Sequence, residues 1–256
     1  MIHTTAIIDP SAVLADGVRV GPYSIIGADV IVGDDTTIDG HVIIKGPVEI
    51  GKRCRIFPFA SIGDIPQDLK FKGEKTKVII GDDNTIREYV TINRGTAEGE
   101  GTTSIGNNNF LMAYSHIAHD CKIKNHVIFA NGATLAGHIT IEDYAILGGL
   151  VAVHQFATIG RNAFIGGCSA VSQDVPPYCL AVGNRARLHG LNLTGLKRAG
   201  FSAEAIRSLK QAYRLLFRSN LTLKEALSQV VQTITDSPEV DHLVAFIRGS
   251  KRGIHR

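Results

Sequence analysis

Apolar residues recur at every sixth position through most of the chain. Counting in sixes from Ile8 meets an aliphatic residue at each step as far as Ile62, and the same phase returns at residues 80–92. After a shift of one residue the pattern resumes at Ile105, and every sixth position is apolar as far as Val171. An amphipathic helix repeats near 3.6 residues and an ordinary strand at 2, so neither element explains a period of six.

This period predicts a stack of short parallel strands. Each hexad is expected to form one strand and one corner, with the aliphatic side chain inward and, in many hexads, Gly directly after it, as at Gly27 and Gly148. Three hexads would close one triangular coil, and coils would stack at the parallel-strand spacing of about 4.8 Å. Because no coil buries its faces alone, each is stabilised by its neighbours.

The repeat has two interruptions and an end. Residues 64–77 and residues 93–104 lack the hexad and are predicted to protrude as loops, where functional residues are common. The repeat stops near Pro176 and Pro177. The sequence therefore predicts an all-β domain over residues 1–190 and a second, helical domain over residues 191–256.

Three helices are predicted in that second domain. Ser202 is a suitable N-cap for the first, and Thr222 with Glu225 forms the capping box of the second. Ser237 and Pro238 begin the third, since Pro is favoured at the first helical position. The fold class is thus a β-helix followed by a three-helix domain.

Composition and charge exclude several protein classes. The 256 residues are 44% hydrophobic and 20% charged, as in globular proteins, and contain no apolar run near the roughly 20 residues of a membrane-spanning helix. The N-terminus resembles no signal peptide, so a cytoplasmic protein without membrane insertion is expected. Four widely spaced cysteines contain no C-x-x-C pair and are expected to be small buried hydrophobes.

Positive charge is concentrated in the helical tail. From residue 193 onward there are eleven Lys and Arg against five Asp and Glu, a net charge of +6, whereas the whole chain carries +3. Such a surface favours an anionic partner through electrostatic steering, although an ordinary solvated helical surface is the alternative. Nucleic acid is not expected, because aromatic residues are not interleaved with the charges.

Stacking of coils gathers polar residues on one face. Residues 18 apart lie above one another, so His119, Gly137 and Gln155 share one position in successive coils, and Asp120 and His138 share the next. A histidine titrates near neutral pH and could act as a base, a carboxylate could fix its tautomer, and an unshielded glycine N–H could bind an oxyanion. The alternative is a hydrogen-bonded polar ladder without catalytic function.

A second column contains mostly small residues. Ala113, Asn131, Gly149 and Gly167 share one position on the next face. Small residues in stacked coils would leave a shallow groove along the axis, suited to a linear acyl chain. The alternative is that the two glycines only relieve crowding at the corners.

Local motifs make the pattern more specific. The chain resembles the UDP-N-acetylglucosamine O-acyltransferase family of lipid A synthesis, which has hexapeptide repeats and a left-handed parallel β-helix. The resemblance covers the whole chain and rests on residues 65–70 (IPQDLK), 116–121 (HIAHDC), 131–138 (NGATLAGH), 153–156 (VHQF), 166–169 (GGCS) and 195–198 (GLKR).

The resemblance implies a reaction and a role for each site residue. The donor would be a 3-hydroxyacyl–acyl carrier protein, the acceptor UDP-N-acetylglucosamine, and the enzyme a homotrimer with sites between subunits and without metal or other cofactor. In the reaction itself, the resemblance implies that His119 is the general base, that Asp120 orients it and that Gly137 binds the oxyanion. For the substrates, it implies that Asp68 and His138, with Gln67 in the same loop motif, bind the sugar, that Lys70 contacts the phosphates or the acyl group, and that His154 contacts the acyl chain or the sugar. It further implies that Gly167 measures the acyl chain and that the nucleotide is contacted by His116, Gln155, Asn192 and Arg198.

The chain departs from the family pattern at three positions. Asn93 stands where some members have His, Thr194 replaces an acidic residue, and Ala199 replaces a second Arg after Arg198. These differences concern contacts with the nucleotide and the carrier protein rather than the reaction. Because Gly167 is small, the resemblance implies a long acyl chain.

Four other functions fit parts of the pattern. The N-acyltransferase of the same pathway carries a domain ahead of its β-helix, whereas the hexads here begin at residue 8. An acetyl-CoA-dependent hexapeptide transferase would need neither the long groove nor the basic tail. A zinc enzyme of the γ-carbonic anhydrase type usually has His-x4-His, whereas His116 and His119 are separated by two residues. A non-catalytic scaffold would not need the polar cluster.

Overall fold

The computed structural model describes residues 1–255, in which 27 short strands form three sheets. The first sheet contains β1 (Ile7–Ile8), β4 (Ile25–Ile26), β7 (Ile43–Ile44), β10 (Ser61–Asp64), β13 (Thr91–Asn93), β16 (His116–Ile117), β19 (Thr134–Leu135), β22 (Ala152–Val153) and β25 (Ala170–Val171). The second contains β2 (Val13–Leu14), β5 (Val30–Val32), β8 (Val48–Ile50), β11 (Lys77–Ile80), β14 (Thr102–Ile105), β17 (Lys122–Ile123), β20 (Thr140–Ile141) and β23 (Thr158–Ile159).

The third sheet closes the triangle. It contains β3 (Arg19–Val20), β6 (Thr37–Ile38), β9 (Arg55–Ile56), β12 (Thr85–Ile86), β15 (Phe110–Leu111), β18 (Ile128–Phe129), β21 (Ile146–Leu147), β24 (Phe164–Ile165), β26 (Cys179–Val182) and β27 (Arg187–Leu191). All pairings between strands are parallel except β26 with β27, which form an antiparallel hairpin. The predicted parallel β-helix is therefore confirmed.

The strand register follows the predicted stacking. Ile117 pairs with Leu135 and Leu135 pairs with Val153, a constant step of 18 residues. Across the interruptions Ile62 pairs with Ile92 and Ile92 pairs with Ile117, steps of 30 and 25. The interruptions therefore insert 30 − 18 = 12 and 25 − 18 = 7 residues into the coils. Outside the strands they occupy residues 65–76 and 94–101, slightly less than the predicted 64–77 and 93–104.

The core contains two residues from most hexads. From Val20 onward the predicted aliphatic positions are almost fully buried, and the residue two places earlier is buried as well, as at Val42, Ala133 and Val151. The sequence pattern missed this second inward position, because it mixes Val, Ala, Ser and Cys. Three cysteines are buried as predicted, but Cys168 is exposed, which corrects the expectation for that residue.

Up to residue 255, four helices follow the β-helix rather than the three predicted. A short helix, α1 (Leu193–Arg198), precedes α2 (Ala203–Arg218), α3 (Leu223–Thr233) and α4 (Pro238–Gly249). Ser202 caps α2, and the capping box of Thr222 and Glu225 is formed at α3. The six residues of α1 are too few for a helical period to show in the sequence. Within residues 1–255, every helix falls short of the length and apolarity needed to cross a bilayer.

Candidate active site

The polar cluster lies at the corner between the first and second sheets. Asp120, His138 and Phe156 stand there in successive coils, each with a left-handed backbone conformation (φ of 58°, 61° and 65°). Asp and His tolerate this conformation better than most residues, although it costs energy for any side chain. The corner turns the backbone between β16 and β17, and the same turn follows β19 and β22.

His119 and Asp120 form a hydrogen-bonded pair. The Nδ1 atom of His119 lies 2.9 Å from Oδ2 of Asp120, and their side chains are 15% and 2% exposed. An ionised carboxylate only accepts, so it favours the tautomer with the proton on Nδ1 and leaves Nε2 as a base. His138 Nδ1 is 4.0 Å from the same oxygen, too far for a hydrogen bond, and its ring meets the His119 ring edge to face at 5.0 Å.

The second inserted loop holds the Asp120 carboxylate. Thr96 donates to Oδ2 through its hydroxyl at 2.7 Å and its backbone N–H at 3.0 Å. Gly95 and Gly99 lie so close that a Cβ on either would be within 2.8 Å of the carboxylate. Sequence reasoning missed Thr96; the only available signal was the glycine-rich composition of residues 94–101.

Gly137 lies directly against His119. A Cβ on Gly137 would stand 2.4 Å from Cε1 and 2.6 Å from Nε2 of His119, so only glycine leaves room for the ring. In the hydrogen-bond network of residues 1–255, the neighbouring His138 N–H donates to His119 O, whereas the Gly137 N–H has no acceptor. A free N–H beside the base is suited to bind an oxyanion.

Three more histidines border this corner. Burial, aided by His119, lowers the pKa of His116, whose Nδ1 is 2.7 Å from the Thr91 hydroxyl. Burial also lowers the pKa of His138, and nearby carboxylates only partly oppose this shift. His138 stacks on Phe156, with ring centroids 4.6 Å apart. His154 is exposed.

The first inserted loop lies close to the same corner. The carboxylates of Asp68 and Glu98 are near enough to His138 to raise its pKa, in opposition to burial. Both inserted loops therefore lie beside the histidines. Lys70 is exposed and its ammonium group lies 3.1 Å from a carboxylate oxygen of Glu98. Gln67 is exposed, as is Gln155 on the coil above Gly137.

Asn192 does not join this cluster within one chain. Asn192 caps α1 by accepting from Gly195 N–H at 3.1 Å, and it donates to Asn162 O at 3.0 Å. Asn162 belongs to the corner between the second and third sheets, a different corner of the triangle from His119. Arg198 ends α1 and is exposed.

Gly167 lies at the third corner, above Gly149. A Cβ on Gly167 would be 3.3 Å from Gly149 O, and one on Gly149 would be 3.5 Å from Asn131 O, so the small residues do stack in one column. A cavity of about 1800 Å³ lies nearby, between the last strands of the first sheet and the carboxyl-terminal segment. Its lining includes Ala152, His154, Ala170, Arg185, Arg187 and Arg252.

Among the residues that the structure describes, one set of side chains could hold a metal ion. His119, Asp120 and His138 each offer one ligand atom, and these atoms lie within 4.8 Å of one another. Two imidazoles and a carboxylate are ligands that zinc accepts. However, Asp120 Oδ2 already accepts from His119 and Thr96, so a metal would have to displace existing hydrogen bonds.

Comparisons with known proteins identify the family of the chain. Residues 174–255 match the family described as UDP-N-acetylglucosamine O-acyltransferase, domain 2, and residues 102–137 match the bacterial transferase hexapeptide repeats. The acyl-[acyl-carrier-protein]–UDP-N-acetylglucosamine O-acyltransferase of Thermodesulfovibrio yellowstonii is 58% identical over 100% of this chain and 99% of the relative.

Solved structures extend the likeness to the whole fold. LpxA of Acinetobacter baumannii is 46% identical with a TM-score of 0.97, covering 100% of this chain and 99% of that one. The UDP-N-acetylglucosamine acyltransferase of Francisella novicida is 44% identical with a TM-score of 0.98, covering 100% and 94%. At this identity over the full length, the chain belongs to the UDP-N-acetylglucosamine O-acyltransferase family.

Proposed function

We propose that this protein transfers a 3-hydroxyacyl chain from acyl carrier protein to the 3-hydroxyl of the glucosamine ring in UDP-N-acetylglucosamine, the first step of lipid A biosynthesis. Family membership supports the reaction. The observation that carries the mechanism is the His119–Asp120 hydrogen bond beside the free N–H of Gly137.

The chemistry follows from this arrangement. Nε2 of His119 removes the proton of the sugar 3-hydroxyl, and the oxygen attacks the thioester carbonyl carbon. The carbonyl oxygen becomes an oxyanion that accepts from Gly137 N–H, and Asp120 remains ionised and stabilises the imidazolium. Collapse of the tetrahedral intermediate breaks the carbon–sulfur bond, and the imidazolium returns its proton to the departing thiolate of the carrier.

The remaining site residues bind the substrates. In the proposal, Asp68, Gln67 and His138 contact the sugar, Lys70 contacts the phosphates or the acyl group, and His154 contacts the acyl chain or the sugar. Nucleotide contacts come from His116, Gln155, Asn192 and Arg198, and Gly167 limits the acyl chain. The lowered pKa of His138 supports a neutral imidazole in this role at neutral pH.

The active assembly is proposed to be a homotrimer with each site between two subunits. Asn192 contacts Asn162 at another corner from His119, which supports delivery of the nucleotide contacts by a neighbouring copy. We further propose domains over residues 1–190 and 191–256, a cytoplasmic location, no nucleic-acid partner, and a reaction without metal or other cofactor.

The basic tail is proposed to dock the acidic carrier protein. Arg207, Lys210, Arg214 and Arg218 line a cavity of about 610 Å³ beside α2 and α3, and all four are exposed. Reversing the charge at Arg207, Lys210 and Arg214 should raise the KM for the acylated carrier and make this KM less dependent on salt concentration. Unchanged kinetics would exclude this docking surface.

The function is tested by product analysis. Purified protein is mixed with UDP-N-acetylglucosamine and 3-hydroxyacyl carrier proteins of increasing chain length, and mass spectrometry identifies the product. His119→Ala should lose most activity, whereas His189→Ala, at an exposed histidine of β27, should keep it. No product with any donor, together with acetyl-CoA turnover or stoichiometric zinc, would overturn the proposal.

A further inference from the structure

The end of the chain returns to the β-helix and docks on its last coil. The Asp174 N–H donates to Gly253 O and the His255 N–H donates to Asp174 O, both at 2.9 Å, and Ile254 forms a parallel bridge with Asp174. The Ser250 hydroxyl donates to the Asp174 carboxylate at 2.6 Å. Asp174 is 3% exposed, so residues 250–255, called here the carboxyl-terminal strap, are well anchored.

The strap delivers a guanidinium group to His154. Arg252 Nε donates to Ser172 O at 2.8 Å, and its second branch, Nη2, lies 2.8 Å from Nδ1 of His154. The two bonds use different nitrogens of one rigid planar group, so they fix its orientation. The sequence separation of 98 residues makes this contact a product of the tertiary fold.

The contact decides which nitrogen of His154 carries the proton. Guanidinium is always charged and only donates, so Nδ1 must be the unprotonated acceptor and the proton of the neutral ring must be on Nε2. The opposite tautomer would donate from Nδ1 to Gln155 O, which lies 3.3 Å away. That bond is longer and joins neutral groups, whereas the bond from Arg252 is short and charge-assisted.

We infer that Arg252 is a positioning residue that holds His154 as a neutral imidazole with its proton on Nε2. His154 lines the 1800 Å³ cavity, and Nδ1 is occupied by Arg252. The ring therefore presents an N–H donor to the substrate, and the substrate group that it binds is an oxygen acceptor, a carbonyl or hydroxyl of the acyl donor or sugar. The kinetic consequence of this inference rests on the proposed acyltransferase function, whereas the tautomer of His154 does not.

The tautomer is measured directly. In full-length protein labelled with ¹⁵N-histidine, NMR should show an unprotonated Nδ1 and a protonated Nε2 for His154, assigned by comparison with His154→Gln. Arg252→Ala should shift His154 toward the tautomer protonated at Nδ1, since Gln155 O is then the remaining partner. A wild-type ring protonated at Nδ1, or a tautomer unchanged in Arg252→Ala, would overturn the inference.

Kinetics test whether Arg252 acts through His154. Arg252→Ala should lower kcat about tenfold to hundredfold, as expected for a misplaced active-site group. In the His154→Ala background the same substitution should cost nothing further. Losses that multiply in the double variant would show that Arg252 acts independently and would refute the inference.

Two controls separate positioning from loss of structure. Ser250→Ala removes the strap's side-chain hydrogen bond to the Asp174 carboxylate without touching His154, and Lys251→Ala changes an exposed neighbouring cation. Both should retain activity even where the Tm falls as much as in Arg252→Ala. An equal activity loss in Ser250→Ala would mean that docking of the strap alone matters. An inactive wild type would refute the proposed function, and the NMR result would still decide the inference.

Discussion

Replacing Gly137 with Ala introduces one methyl group where the structure has no space. The new Cβ would stand 2.4 Å from Cε1 of His119, whereas ordinary contact begins at about 3.4 Å. The His119 ring must therefore move by about 3.4 − 2.4 = 1 Å. It cannot follow freely, because Nδ1 is bound to Asp120 at 2.9 Å and a shift would lengthen that bond.

The expected cost follows from the size of this displacement. A misplacement of about 1 Å at a reacting group lowers a rate roughly 10²-fold, equivalent to about 2.7 kcal/mol of transition-state stabilisation. The loss should appear in kcat, because the methyl group displaces the base. The loss of kcat can occur without an equal fall in Tm, because the backbone of Gly137 lies outside the left-handed region that favours glycine.

The assay compares steady-state kinetics and thermal unfolding of Gly137→Ala with those of Gly249→Ala. Gly249 ends α4, and a Cβ there would meet no heavy atom within 4 Å apart from the backbone of its own helix, so this control introduces the same methyl group without a clash. The control should keep wild-type kcat. A Gly137→Ala variant with near-normal kcat would refute the assignment of His119 as the base or its geometry.

Three further outcomes are expected. Thr96→Val keeps the side-chain shape but removes the 2.7 Å bond to Asp120, so kcat should fall about tenfold. Thr96→Ser keeps the hydroxyl and should restore kcat. Equal kcat in the two variants would show that the Thr96 hydroxyl does not support the Asp120 carboxylate. Gly167→Met should shift the product profile, read by mass spectrometry, toward shorter acyl chains, and an unchanged profile would exclude Gly167 as the limit. Burial lowers the pKa of His255, so the unfolded chain gains its proton first as pH falls. The stability that this neutral histidine contributes is therefore full above about pH 6.5 and lost below it, and the Tm should decrease with acid less steeply in His255→Gln than in wild type.

The sequence predicted the parts of the site that share the β-helix repeat. Because every coil adds 18 residues, His119 and Gly137 had to lie in adjacent coils, and the structure brings them into direct contact. The same reasoning stacked Gly149 below Gly167. Hexad periodicity determines which residues of adjacent coils lie next to each other, so contacts between coils can be predicted without information about the rest of the chain.

The contacts made by inserted and terminal segments were decided only by the tertiary structure. Thr96 reaches Asp120 from a seven-residue insertion, and Arg252 reaches His154 from the end of the chain. Neither segment has a period that ties its residues to a coil, so spacing gives no register for them. Asn192 lies away from His119 for a related reason. The repeat determines which residues stack along one corner, whereas the hairpin and the start of α1 determine which corner the following chain approaches.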